Sequence, residues 1–162
     1  MLIEMTIKGL MVDPTTSTPI VVLKDKDGDR LLSIWVGIFE ANAIALQIEN
    51  IAPPRPMTHD LLRNLIANLD GKVDRVVVTD LKDNTFFATI HLTVHGERVA
   101  VDARPSDAIA LALRTKSPIL VEESVIESAQ SSDLGPPQRL DNDRLQKWLE
   151  GLDPEDLGKY KM

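Results

Sequence analysis

The sequence contains no cysteine, which excludes disulfide frameworks, thiolate zinc sites, iron–sulfur clusters and a cysteine nucleophile. This composition fits a reducing compartment, and we expect a cytoplasmic protein. No apolar run approaches the roughly 20 residues that a membrane helix needs, and the first ten residues lack the pattern of a signal peptide. We therefore expect no membrane association and no cleaved leader.

Basic residues are outnumbered by acidic ones, and aromatic residues are scarce. The sequence has 18 Lys and Arg residues and 25 Asp and Glu residues, which gives a formal net charge of −7. Tight, non-specific binding of nucleic acid needs clustered cations, so the charge argues against that class, although it does not exclude an enzyme with local contacts. Aromatic side chains make up 4% of the chain, so stacking platforms for single strands are poorly supplied.

The 162 residues, 43% of them hydrophobic, suffice for one domain with its own core. Alternating polar and apolar residues predict a strand over 2–12, a hairpin over 20–36, a second hairpin over 73–94 and a strand over 98–103. Helical patterns cover 37–50, 107–114 and 123–129, and 119–121 is a short apolar strand. Thr58 is expected to cap a further helix, which carries five apolar residues on one stripe: Leu61, Leu62, Leu65, Ile66 and Leu69.

An internal similarity links two of these segments. Shifting the sequence by about 65 positions places Ser33–Leu46 over Arg98–Leu111, and Asn42 then falls on Asp107. The shift matches strand with strand and helix with helix, so we predict an α/β fold of the α+β type built from two β-β-β-α halves. The alternative is coincidence between two helices that are rich in alanine and leucine.

The composition changes near residue 131. Serine, glycine and proline over 131–137 are typical of a linker, and Leu145, Trp148, Leu149 and Leu152 then recur at helical spacing. We predict a domain over residues 1–130 and a linker with an amphipathic helical extension over 131–162. The extension is too small to fold alone, so it is expected to dock on its own domain, on a second subunit or on another partner.

A first polar segment, residues 102–107, joins a predicted strand to a predicted helix. Asp102 and Asp107 could hold a divalent cation through carboxylate oxygens, and Arg104 between them could grip a phosphate. The alternative interpretation is structural: Arg104 pairs with Asp102 across the turn, Ser106 caps the helix, and Asp107 complements its dipole.

A second polar segment surrounds the start of the Thr58 helix. His59 is the best candidate for a general base because imidazole exchanges protons near neutral pH. For Arg55, His59, Asp60 and Arg63 the alternative is a solvated helix face opposite the leucine stripe. Glu40 is a lone acid on an otherwise apolar helix, either at an exposed edge or facing a shared cleft.

Residues 55–62 (RPMTHDLL) and 102–112 (DARPSDAIALA) together resemble motifs of the bifunctional nuclease domain family. Residues 34–37 (IWVG), 40–46 (EANAIAL) and 118–123 (PILVEE) are similar to its remaining motifs, so the resemblance spans about residues 1–130 in order. It implies a bacterial member of the family with an α/β fold and a largely antiparallel sheet, nuclease activity on DNA and RNA as described for plant members, and a homodimer. The matching motif positions are Glu40, Arg55, Pro56, Thr58, His59, Asp60, Asp102, Arg104, Pro105, Ser106 and Asp107.

Two functions follow as hypotheses. In a nuclease, Asp102 and Asp107, with Glu40, would position Mg²⁺ or Mn²⁺. His59 would transfer a proton, and Asp60 beside it would be a further catalytic residue. Substrate would be held by Arg55, Arg63, Arg104 and Ser106. This hypothesis predicts that the two polar segments converge in one cleft. The alternative is a non-catalytic dimeric module in which the same groups bind a small anion or a partner protein. A third possibility is a purely structural subunit, in which internal salt bridges fill both polar segments.

Overall fold

A computed structural model of the chain describes residues 1–131, with the side chain of Ser131 excepted. The described residues form seven strands and four helices, in the order β1 (Leu2–Val12), β2 (Pro19–Asp25), β3 (Leu31–Trp35), α1 (Ile38–Ile48), α2 (Thr58–Asn68), β4 (Gly71–Lys82), β5 (Thr85–Val94), β6 (Glu97–Ala103), α3 (Pro105–Thr115), β7 (Ile119–Glu122) and α4 (Glu123–Ser131). The strands and helices predicted within this range are therefore confirmed, with boundaries shifted by a few residues.

Two antiparallel meanders form the sheet. β1 pairs with β2 and β2 with β3, while β4 pairs with β5 and β5 with β6. Each meander is followed by a helix, α1 after β3 and, after β6, α3. The two β-β-β-α halves predicted from the internal similarity are thus present, with α2 between them.

Strand β7 joins the two meanders at the centre of the sheet. It runs antiparallel to β1 and parallel to β4, which gives the order β3-β2-β1-β7-β4-β5-β6. Seven mostly antiparallel strands with packed helices confirm the mixed α+β class. The third strand of each half, β3 or β6, lies at an outer edge.

A single core lies on one face of the sheet. Strand register places Ile3, Val121 and Val78 side by side on this face, and each belongs to the same buried cluster. Helices α1, α3 and α4 contribute buried residues to it, and Ile66 of α2 packs against it. The helices therefore cover one face of the sheet.

The orientation of α2 differs from the expected one. The four leucines of its stripe, Leu61, Leu62, Leu65 and Leu69, are 39–66% exposed, whereas His59 and Asp60 are buried. The interpretation of these two polar residues as a solvated face is therefore wrong. An amphipathic stripe shows which side chains share a side of a helix, but not which neighbour that side meets.

Helix α2 also begins differently from the prediction. Thr58 is its first residue, and the capping position belongs to Met57, whose N–H donates to Asp60 Oδ2 at 3.0 Å. The predicted extension with Leu145 and Trp148 lies outside the described residues. Within those residues, no helix is long and apolar enough to cross a membrane.

Candidate functional site

Three helix starts meet at one end of the molecule. Glu40, His59 and Asp107 lie in the first turns of α1, α2 and α3, and all three residues line one cavity of about 860 Å³. Helix α3 brings them together because it packs against both α1 and α2. Acidic side chains are favourable in these first turns, where backbone N–H groups are unpaired.

The two polar segments are joined by a histidine–carboxylate pair. His59 Nε2 donates to Asp107 Oδ1 at 2.9 Å, and the side chains are 10% and 29% exposed. An ionised carboxylate accepts only, so this bond fixes the Nε2–H form of a neutral imidazole and leaves Nδ1 as its acceptor. The predicted convergence of the segments in one cleft is confirmed.

Arg104 connects the same carboxylate to α1. Its Nε donates to Asp107 Oδ2 at 3.0 Å, and its Nη2 donates to Glu40 Oε1 at 2.6 Å. The hydrogen bonds to Asp107 and then Glu40 raise the pKa of the Arg104 guanidinium above its ordinary value. The proposed pairing of Arg104 with Asp102 is wrong, because Asp107 and Glu40 take this role.

A glycine allows the Glu40 carboxylate to take its position. The side chain of Glu40 folds back against Gly37, where an added Cβ would overlap Glu40 Oε2. Gly37 has an ordinary negative φ of −70°, so the requirement here is close approach and not backbone conformation.

Aromatic side chains and a buried amide form much of the remaining cavity wall. Phe39, Phe86 and Phe87 line it, and these are the three phenylalanines of the sequence. Asn42 also lines the cavity. Its side chain is 6% exposed, and its Oδ1 is buried without a hydrogen-bond partner. Such an acceptor is costly to leave unpaired in a folded protein.

Asp102 lines the cavity from the exposed end of β6. Among residues 1–131, no three His, Asp or Glu side chains are grouped as a metal site requires. Both oxygens of Asp107 are engaged by His59 and Arg104. The cavity nevertheless has an excess of acidic side chains. It is lined by three carboxylates, those of Glu40, Asp102 and Asp107, and by one arginine, which gives a formal charge of 1 − 3 = −2 when His59 is neutral. This negative charge suits a cation that takes its other ligands from water and phosphate, as Mg²⁺ does.

Asp60 is buried and lies outside this cavity, beside the smaller one that Arg55 and Arg63 line. Its Oδ1 accepts from Arg114 Nε at 2.8 Å, and this arginine also donates to the carbonyls of Ala43 and Ala110. Burial acts to raise the pKa of Asp60, but hydrogen bonds from Met57 and Arg114 and the charges of Arg114 and Arg63 outweigh it. The pKa therefore lies below its usual value. The pair ties α2, α3 and α1 together.

The remaining predicted substrate ligands lie in other cavities. Arg55 and Arg63 line a cavity of about 360 Å³ beside the proline-rich segment that precedes α2. Ser106 lines a third cavity, of about 490 Å³, which shares Thr85, Phe86 and Arg104 with the first. Arg104 is thus flanked by two cavities, and Arg55 and Arg63 are not brought to it.

Sequence reasoning missed Asn42, Phe39 and Phe87 as cavity residues. For Asn42 a signal existed, because the internal similarity aligned it with Asp107. The phenylalanines carried no such signal, since their contribution depends on how α1 and β5 are placed around α3, which packs against both.

Comparisons with known proteins identify the family of the chain. Residues 21–133 match the model of the bifunctional nuclease domain. The chain is 39% identical over 162 residues to an uncharacterized protein of Mycobacterium tuberculosis, covering 95% of this chain and 97% of that protein. It is 32% identical over 131 residues to bifunctional nuclease 1 of Arabidopsis thaliana, covering 73% of this chain and 40% of the plant protein. For bifunctional nuclease 1 of Oryza sativa subsp. indica the identity is 30% over 110 residues, covering 65% and 33%. The chain thus spans about two-fifths or less of these plant relatives.

Proposed function

Because the chain belongs to the bifunctional nuclease domain family, we propose that it hydrolyses phosphodiester bonds of DNA or RNA in the cavity lined by His59, Arg104 and Asp107. The observation that carries this proposal is the 2.9 Å contact of His59 with Asp107 beside the guanidinium of Arg104. A base, an orienting carboxylate and a phosphate ligand then lie within one cleft.

The proposed reaction uses water as the nucleophile. His59 Nδ1 takes a proton from water as its oxygen bonds to phosphorus, and the bond from phosphorus to the leaving sugar oxygen breaks. The proton then passes to that oxygen. Asp107 holds the imidazole in the Nε2–H form and stabilises the imidazolium, as the carboxylate does in other histidine dyads. Arg104 contacts the phosphate through Nη1, since Nε and Nη2 bind Asp107 and Glu40.

A divalent cation, Mg²⁺ or Mn²⁺, is part of the proposal. The acid surplus of the cavity supports it, with Asp102 as the first protein ligand and Asp107 and Glu40 beside it. Such an ion would neutralise charge on the phosphate when bound. A cytoplasmic location stays a prediction from the sequence. The proposed site leaves out Arg55, Asp60 and Arg63, which lie outside its cavity, and Ser106, which lines the neighbouring cavity beside Arg104.

We further propose that two copies of the chain pair through α2. Four exposed leucines on one helix form an apolar surface that a monomer would leave in water. A two-fold axis through such a surface buries it against itself. Docking of the segment after residue 131 on the same leucines is the competing outcome.

Cleavage assays test the nuclease proposal. Supercoiled plasmid and single-stranded RNA are incubated with wild-type protein, His59→Gln and Asp107→Asn, each with Mg²⁺, Mn²⁺ or EDTA. Loss of the base should lower the rate by about 10² to 10⁴-fold. His91→Gln is the matched control, because His91 lies on β5 outside the cavity. Circular dichroism verifies that each variant is folded.

Each outcome has a definite meaning. Metal-dependent cutting that is lost in both site variants and kept in His91→Gln supports the proposal. Equal cutting by all four proteins indicates a contaminating nuclease or another site. No cutting by any of them, with thermal stabilisation by phosphate in EDTA, would favour the non-catalytic anion-binding module.

A further inference from the structure

The few aromatic residues of the chain are concentrated at one place. The sequence has three Phe, two Trp and one Tyr, of which Trp148 and Tyr160 lie outside the described residues. The other four all line the two cavities that flank Arg104. Phe39, Phe86 and Phe87 line the larger one, and Trp35 and Phe86 line the smaller one. A low aromatic content therefore understates what this surface offers for stacking.

Two of these rings are open to solvent. Phe39 is 83% exposed and Phe87 is 40% exposed, whereas Phe86 packs against the buried core. Trp35 is held in place by a hydrogen bond from its Nε1 to Asp13 Oδ2 at 3.4 Å. Exposed rings at a cleft offer flat faces on which nucleobases stack.

The same cavity contains a buried amide oxygen without a hydrogen-bond partner. Asn42 is 6% exposed, its Oδ1 has no partner, and it lines the cavity with Phe39 and Phe87. An amide presents one acceptor and two donors, and the edge of an unpaired nucleobase presents a matching set. A purely apolar protein partner would leave this acceptor unpaired.

We propose that the two cavities form a subsite for unpaired nucleotides, in which bases stack on Phe39, Phe87 and Trp35 while Arg104 holds the phosphate between them. Asn42 then pairs with the edge of the base in the larger cavity. This inference rests on the proposed nuclease function and makes it specific for single-stranded or locally opened substrate. Bases within a duplex are paired and stacked already, so they cannot enter without being unpaired.

Binding without cleavage tests the subsite. Fluorescence anisotropy in EDTA is measured with a labelled single-stranded oligonucleotide, the same strand in a duplex, and the same strand with abasic positions in its centre. The abasic strand keeps every phosphate and lacks only the bases. We expect the duplex and the abasic strand to bind at least about tenfold more weakly than the intact single strand.

Protein variants locate the effect. Phe39→Ala and Phe87→Ala should each weaken single-strand binding by about tenfold, and Phe39→Tyr should restore it because a ring face is retained. Val99→Ala is the control, since Val99 is exposed on β6 and lines neither cavity. Phe39 is largely exposed and Phe87 is 40% exposed, so truncation of either ring is expected to leave folding intact, and circular dichroism verifies this for each variant.

Several results would overturn the inference. These are equal affinity for intact and abasic strands, a duplex bound as tightly as a single strand, or no binding of the single strand. A change of molar mass in Phe39→Ala, with binding unchanged, would assign the rings to a protein interface instead. The two proposals can fail separately. A protein that binds the intact single strand more tightly than the duplex and the abasic strand, but cleaves nothing, would support the subsite and contradict the nuclease activity. Cleavage that depends on His59 but is unchanged in Phe39→Ala and Phe87→Ala would support the nuclease activity and contradict the subsite.

Discussion

Asp60 and Arg114 form the most deeply buried ion pair of the described residues, with side chains 9% and 1% exposed. We expect Asp60→Asn to lower the free energy of unfolding by about 3–5 kcal/mol, because the guanidinium is left buried without its counter-charge. Urea unfolding at about pH 7 measures this. Asp70→Asn, at an exposed turn residue, is the matched control and should change little.

The same pair makes a prediction about pH. Folding lowers the pKa of Asp60, so its contribution to stability is complete above the unfolded value of about 4 and is lost as the pH falls through the lower folded value. The difference between wild type and Asp60→Asn should therefore be full at neutral pH and shrink in acid. A constant difference down to about pH 2 would show that Asp60 acts through packing and not through its charge.

Gly37 controls the position of the Glu40 carboxylate. We expect Gly37→Ala to stay folded, because the obstructing atom is the end of a flexible side chain, but to displace that carboxylate from Arg104. Cleavage rates in a double-mutant cycle with Glu40→Gln should be non-additive, since both changes disrupt one ion pair. Gly9→Ala is the control, because an added Cβ there meets no atom within 4 Å. Additive effects would contradict this coupling.

Helix α2 carries a prediction at the scale of an element. If its leucines join two copies, Leu65→Glu should convert a dimer into a monomer, because a charge in an apolar interface is left without a partner. Light scattering after size exclusion gives the molar mass. Glu49→Gln serves as the control, because Glu49 is exposed at the C-terminal end of α1 and not on α2. A wild-type monomer would contradict the dimer and favour docking of the chain's own C-terminal segment.

At this scale the sequence predicted local structure well and mutual arrangement poorly. Alternation identified β1, and proline and glycine identified the turns, because both signals depend on near neighbours. The central place of β7 was not predictable from its four residues, since it depends on pairing with β1 more than 110 positions away. Within the site, Asp107 and His59 were proposed from the sequence. The interior role of Asp60 was missed because its partner Arg114 lies 54 residues along the chain.

The whole molecule has a net charge of −7. Among the described residues that line the larger cavity, Arg104 is the only arginine or lysine. Binding of a single strand should therefore depend weakly on salt, with a slope of log K against log salt of about −1. Anisotropy titrations over a range of salt concentrations measure this slope. A slope steeper than about −4 would require a basic surface that the cavity does not have.

The position of β7 also has a consequence for biosynthesis. Strand β1 obtains its second neighbour only when residues 119–122 are available, after 122 − 12 = 110 further residues have been added. At ribosomal rates of about 5–20 residues per second, that interval lasts on the order of 5–20 s. If the first meander folds during that interval, its inner edge lacks a partner strand, so the ribosome-bound intermediate is a stage at which this edge is open to pairing with other chains.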